Sequence, residues 1–211
     1  MWKRHAGFEV QWFNHNVNRR NIRWHNMGRA PEMIWLKRTD SGPASWYVYH
    51  KFMNGGTDSN DYMMFLDTDV DQESQTDVWG DSTEISNLDK YFTMRPGTWG
   101  SANYILAMFA SIPGFSKCGY YAGSNSTTTV TTGFQPRFVI VKHYGGDDWW
   151  QTADTTRGWG SGNDKLLRFD GNDEQRFWMD FGAPTSTGFT LTGGDGVWNA
   201  QGDSYLYYAH A

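Results

Sequence analysis

The chain has 211 residues, a formal net charge of −5 and 17% aromatic residues, made up of 12 Trp, 11 Tyr and 13 Phe. So much ring surface excludes a disordered chain, and the acidic balance excludes a sequence-independent nucleic-acid binder, which needs a basic stripe to displace phosphate counterions. No run approaches the roughly 18 apolar residues that cross a membrane, and the single cysteine, Cys118, excludes an internal disulfide framework or a zinc site of several thiolates.

Residues 1–8 carry two early basic side chains with no apolar run behind them, which does not read as a secretory signal. His5, His15 and His25 fall ten residues apart. That interval gives no fixed convergence on a strand, so His15 and His25 are expected to flank a hairpin around Asn16-Val17-Asn18-Arg19-Arg20. Gly28-Arg29-Ala30-Pro31 then reads as a turn, glycine tolerating positive φ and proline fixing φ before a strand over Ile34 and Leu36. Trp46-Tyr47-Val48-Tyr49 is aromatic and β-branched, which suits a strand, and Asn54 to Asp61 is a loop. Met63 to Leu66 reads as a strand. The alternating acids Asp67, Asp69, Asp71 and Glu73 lack the Gly and Glu of a calcium loop, so they read as a solvated turn, with a loop holding a structural cation as the alternative. Tyr104 to Ala110 is an almost unbroken apolar run, as expected of a strand buried on both faces.

The same order then returns. Gly28, Pro31, Ile34, Leu36 and Lys37 recur 105 residues later as Gly133, Pro136, Val139, Val141 and Lys142. At an offset of 103, Trp46 answers Trp149, Gly55 answers Gly158, Asn60-Asp61 answers Asn163-Asp164, and Asp67 answers Asp170. Tyr91-Phe92-Thr93-Met94 pairs with Gly188-Phe189-Thr190-Leu191, and Tyr104 to Ala110 with Tyr205 to Ala211. Two tandem copies meet near Ile112-Pro113-Gly114, giving domains over residues 1–112 and 113–211. Many short strands without helical spacers predict an all-β chain of two antiparallel β-sandwiches related by internal duplication.

Catalytic signatures are missing. There is no Gly-x-Ser-x-Gly elbow and no His-Glu-x-x-His motif, Arg157 to Asp164 fits no phosphate-binding loop, and Cys118 reads as a buried inert thiol. No catalytic, cofactor-binding or metal-ligating residue is therefore assigned. The basic cluster Arg19-Arg20-Asn21-Ile22-Arg23 reads as a docking contact or solvated hairpin. Trp46, Trp149 and Trp150 hold register-matched strand positions and are expected in the core. Trp79, Trp99, Trp159 and Trp198 stand among Gly, Asp, Asn and Thr, and are expected at loop tips as surface-binding residues for sugar rings or a protein partner.

The succession Gly133-Phe134-Gln135-Pro136, Lys142, Trp149, Asp154, Arg157-Gly158, Gly188-Phe189-Thr190-Leu191 and Tyr205 to Ala211 resembles the tandem repeats of tail-fibre and other tail structural proteins of bacteriophages, especially marine and cyanobacterial ones. The first copy departs from the pattern, with Asn54 where the second has Arg157. The resemblance implies a concanavalin-like or jelly-roll-like sandwich in a virion tail component assembled in the host cytoplasm. It implies no enzyme and no cofactor. It also implies attachment to a host cell-surface glycan or receptor, contact with other virion tail proteins, and a homo-oligomer with trimer the expected state. The rival readings are a capsule- or polysaccharide-degrading tail enzyme and a non-adhesive connector or decoration protein. Neither nucleic acid nor membrane insertion is expected.

Overall fold

The computed structural model describes residues 7–211 apart from Ser41, Pro43 and Gly194; His5 therefore lies outside the described residues. Contacts divide the chain into two compact units, one of residues 1–65 and 72–111, the other of residues 66–71 and 112–211. The junction falls beside Ile112-Pro113-Gly114, while the acidic segment 66–71 of the first copy groups with the second unit.

The first module holds β1 (Phe8–His15), β2 (Asn21–Trp24), β3 (Met33–Arg38), β4 (Trp46–His50), β5 (Tyr62–Phe65), β6 (Glu73–Ser74), β7 (Tyr91–Met94) and β8 (Ala102–Phe109). Six of them form one sheet in the order β1-β8-β3-β4-β5-β6, and β2 pairs with β7 in a second layer. One short helix, α1 (Ser82–Ser86), opens on a capping box in which Asp81 and Glu84 reciprocally satisfy backbone N–H groups.

The second module holds β9 (Ser116–Ala122), β10 (Thr128–Thr131), β11 (Phe138–His143), β12 (Gln151–Asp154), β13 (Asp164–Arg168), β14 (Arg176–Met179), β15 (Pro184–Thr185), β16 (Gly188–Leu191) and β17 (Ser204–His210). Its large sheet runs β9-β17-β11-β12-β13-β14, the order of the first module strand for strand, and β10-β16-β15 makes the second layer. The register repeats as well: Trp12 faces Ile105 in β1–β8, and Tyr120 faces Leu206 in β9–β17. All pairings between these strands are antiparallel. The molecule is an all-β chain of two β-sandwiches.

Local chemistry explains the repeated skeleton. Gly28 and Gly133 have φ of +69° and +89°, the left-handed turn that precedes Pro31 and Pro136 in each copy. The terminal apolar runs became β8 and β17, each hydrogen-bonded on both edges, and every residue from Tyr205 to His210 is buried. The Asn16–Arg20 turn joins β1 to β2, but the two strands enter different sheets, tied by Gln11 Nε2 donating to Trp24 O and Asn21 Nδ2 to Asn14 O. His25 is buried with Nε2 2.7 Å from Leu88 O. His15 is buried edge-on against Tyr104, and burial pushes its pKa down.

The second core lies between its two layers. Val130, Phe189 and Leu191 of the small sheet meet Val139, Val141, Ala153, Leu166, Tyr205 and Tyr207 of the large one. At its end, buried Asn199 donates to Ser126 O, Leu191 O and Thr192 O and accepts from Ser124 N and Thr128 Oγ1. This one amide satisfies loop backbone that the sandwich would otherwise bury unpaired. Both modules also anchor the loop before the last strand through a tyrosine. Tyr104 OH donates to Gly100 O at 3.0 Å; Tyr205 OH donates to Gly196 O at 2.7 Å and accepts from Ala200 N at 3.0 Å. Tyr205→Phe is therefore expected to cost about 2 kcal/mol and Tyr104→Phe about 1, since the former loses two part-buried hydrogen bonds and the latter one. Urea titration of the two variants checks the order.

Candidate functional site

The four tryptophans expected at loop tips are interior. Trp79, Trp99, Trp159 and Trp198 are 1%, 6%, 3% and 2% exposed. Trp79 donates its indole N–H to Tyr62 O and Trp99 to Val78 O, and the two rings pack 5.5 Å apart. Trp159 and Trp198 each flank Phe181, at 6.2 and 5.3 Å. Their polar neighbours form loops that fold over the rings, because ring burial outweighs the exposed setting those neighbours suggested. The expectation for the strand tryptophans also needs correction. Trp150 is buried, but Trp46 and Trp149 are half-buried beneath cations: Lys37 Nζ lies 5.7 Å from the Trp46 ring, with Arg168 and Arg176 over Trp149 at 3.0 and 4.9 Å.

Solvent-facing rings occur elsewhere. On β14, the outermost strand of the second large sheet, Phe177 and Trp178 are 60% and 54% exposed, with ring centroids 5.3 Å apart at 77°. Their exposure follows from register. Asp164 pairs with Met179 and Leu166 with Arg176, so two residues of β13 span three of β14. The bulge breaks the inward–outward alternation and turns both rings out of the sheet. Beside them a cleft of about 440 Å³ is lined by Trp178, Met179, Asp180, Thr192, Asp195 and the buried Trp198. Asp180 is exposed and Asp195 half-buried. Burial raises the Asp195 pKa, while its Oδ1 accepts the Val197 N–H at 2.8 Å.

Behind this edge the guanidiniums are engaged. Arg168 Nη1 binds Asp173 at 2.9 Å and Arg176 approaches the same carboxylate at 3.7 Å. Arg157 Nη2 donates to Gln175 Oε1 at 2.7 Å, just before the bulge. The duplication shows how far this corner has diverged. At offset 103, Arg168, Arg176, Phe177 and Trp178 stand where the first copy has Phe65, Glu73, Ser74 and Gln75. Comparing the copies is the sequence signal that finds Phe177 and Trp178: consecutive aromatics opposite consecutive polar residues in a matched strand.

The motif lysines have a structural role. Lys37 Nζ donates to Ala44 O and Lys142 Nζ to Asp148 O, each closing the hairpin loop that follows its strand. Lys142 also donates to Asp69 O at 2.8 Å. Desolvation lowers its pKa to about 8, against the attraction of Asp170, Asp148 and Asp69. Next to it, His143 Nδ1 lies 2.7 Å from Asp148 Oδ2, with the ring against Tyr205. Among the described residues no three His, Cys, Asp or Glu side chains converge as a metal site.

The chain belongs to the family described as domain of unknown function DUF7483, which matches residues 2–211 and so takes in both modules. No curated protein and no solved structure matches the chain.

Proposed function

We propose that this chain is a structural and adhesive segment of a bacteriophage tail fibre, assembled in the host cytoplasm and carried on the virion as a homo-oligomer. Its task is attachment to a host-surface glycan or receptor, without turnover. The observation that carries the reading is the duplication: two sandwiches of one strand order conserve their interiors and differ at an exposed strand. Repetition of a scaffold with local surface variation suits attachment, where linked weak contacts raise effective concentration and avidity rises roughly 10²–10⁴-fold. The resemblance of the Gly-x-x-Pro…Lys…Trp succession to tail-protein repeats supports the virion context.

An antibody against the chain tests this on purified particles of the phage that encodes it. Labelling of the tail and blocked adsorption to host cells are expected. Particles without the chain, or unimpaired adsorption with the antibody bound, would overturn the reading.

A further inference from the structure

We infer that the β14 edge of the second module is a carbohydrate-binding platform for a neutral, pyranose-rich polysaccharide, which the matched strand β6 of the first module lacks. This rests on the attachment reading and names the ligand class at one site.

Phe177 and Trp178 leave large apolar faces in water, at a near right angle to each other. Such a corner offers one ring face to the C–H face of a sugar and the other to its edge. A free aromatic pair on an outermost strand also invites strand-to-strand association, which the bulge discourages by twisting the edge out of line. The adjoining cleft supplies the polar half of sugar recognition. The carboxyl oxygens of Asp180 and Asp195 can accept hydrogen bonds from sugar hydroxyls, and the cleft is open enough for a chain to lie across it.

Charge selects among glycans. The cleft walls carry carboxylates, and the chain as a whole is at −5. The two nearest guanidiniums already face Trp149 and Asp173. A polyanion would meet repulsion, whereas a neutral glycan donates hydrogen bonds from its hydroxyls to the carboxylates. In the first module Ser74 and Gln75 stand in place of the aromatic pair, so the matched strand carries no such platform; the solvent-facing Trp12 and Trp24 of that module lie on β1 and β2 instead.

Affinity electrophoresis of the full chain through native gels containing dextran, mannan, galactomannan or polygalacturonate tests this. Retardation by at least one neutral polymer is expected, changing less than about twofold between low and high salt because stacking and hydrogen bonding are short-range. Trp178→Ala should weaken it at least about tenfold, Trp178→Phe less, and Asp195→Asn severalfold; loss of one good stacking contact is on this scale. Ser74→Ala, at the matched place in the first module, should leave it unchanged. Circular dichroism melts separate lost binding from lost folding, and Trp178 is exposed enough to be replaced without unfolding. Host cells bound by the chain, with retardation only by polygalacturonate, by no polymer, or equally for Trp178→Ala, would overturn the platform and leave the attachment reading intact. Failure to bind host cells in any form would overturn both.

Discussion

Trp198→Ala is expected to destabilise the second module by about 3–5 kcal/mol, the cost of emptying a buried aromatic site in a core that relaxes only partly. Trp198 is among the largest fully buried side chains and packs edge-on against Phe181. Its neighbours add to the loss: Tyr121 OH donates to the Trp198 carbonyl at 2.6 Å, and Asn199, the next residue, holds the carbonyls of Ser126, Leu191 and Thr192. Truncation thus removes packing and loosens the segment from which the hydrogen-bond hub hangs. Trp198→Phe should cost far less than Trp198→Ala, because the indole N–H finds no hydrogen-bond partner among the described residues and its removal strands nothing. Trp178→Ala, on the exposed edge, should shift stability by less than about 0.5 kcal/mol. Urea unfolding read by two probes is the measurement, since a chain of two modules need not unfold in one step. Equal losses for Trp198→Ala and Trp178→Ala would show that the interior has been assigned to the wrong residues.

These two tryptophans mark what the sequence could and could not convey. The duplication was legible because each copy must satisfy the same backbone constraints: left-handed Gly28 and Gly133, Pro31 and Pro136 at the strand entrance, and an apolar run that becomes the doubly flanked β8 or β17. Such constraints fix residue type and spacing together, so they survive divergence of the surface. Side-chain direction in loops carries no comparable period. Trp79, Trp99, Trp159 and Trp198 have polar neighbours because the loops around them are wet on one side, and the same loops place the rings on the other. Phe177 and Trp178 lack such a period too: two adjacent aromatics in a strand suggest burial on both faces, and the unequal spacing against β13 that turns them outward is a property of the pairing, visible in the sequence only as a mismatch between the copies. Segment 66–71 was hidden for another reason. On its own side its hydrogen bonds to the second module use backbone groups, Asp69 O to Lys142 Nζ and Asp71 N to Asp147 Oδ1, which nearly every residue type presents alike.

Lys142 gives the clearest dependence on pH. Its ammonium is buried, and its pKa is lowered to about 8 from an ordinary 10.5, chiefly by desolvation. Between these values the folded chain has released the proton while the unfolded chain still holds it. The unfolded state then binds more protons, and stability rises with pH across that window. Above about pH 10 the sign reverses. Burial raises the Tyr121 and Tyr205 phenols, so the unfolded state ionises first and the folded state loses ground. Stability of the second module should therefore climb by on the order of 2 kcal/mol from pH 8 and peak near pH 9–10, a rise of about 1.4 kcal/mol per pH unit being the most one group can supply. Lys142→Met should remove the rising limb and leave the fall above pH 10. It should also lower stability at pH 7 by about 2–4 kcal/mol, because the carbonyls of Asp69 and Asp148 lose their buried donor. Urea midpoints of the two proteins from pH 7 to 11 measure both limbs. A rising limb that persists in Lys142→Met would place the titrating group elsewhere, and an unchanged stability at pH 7 would mean that water serves those carbonyls as well as the ammonium does.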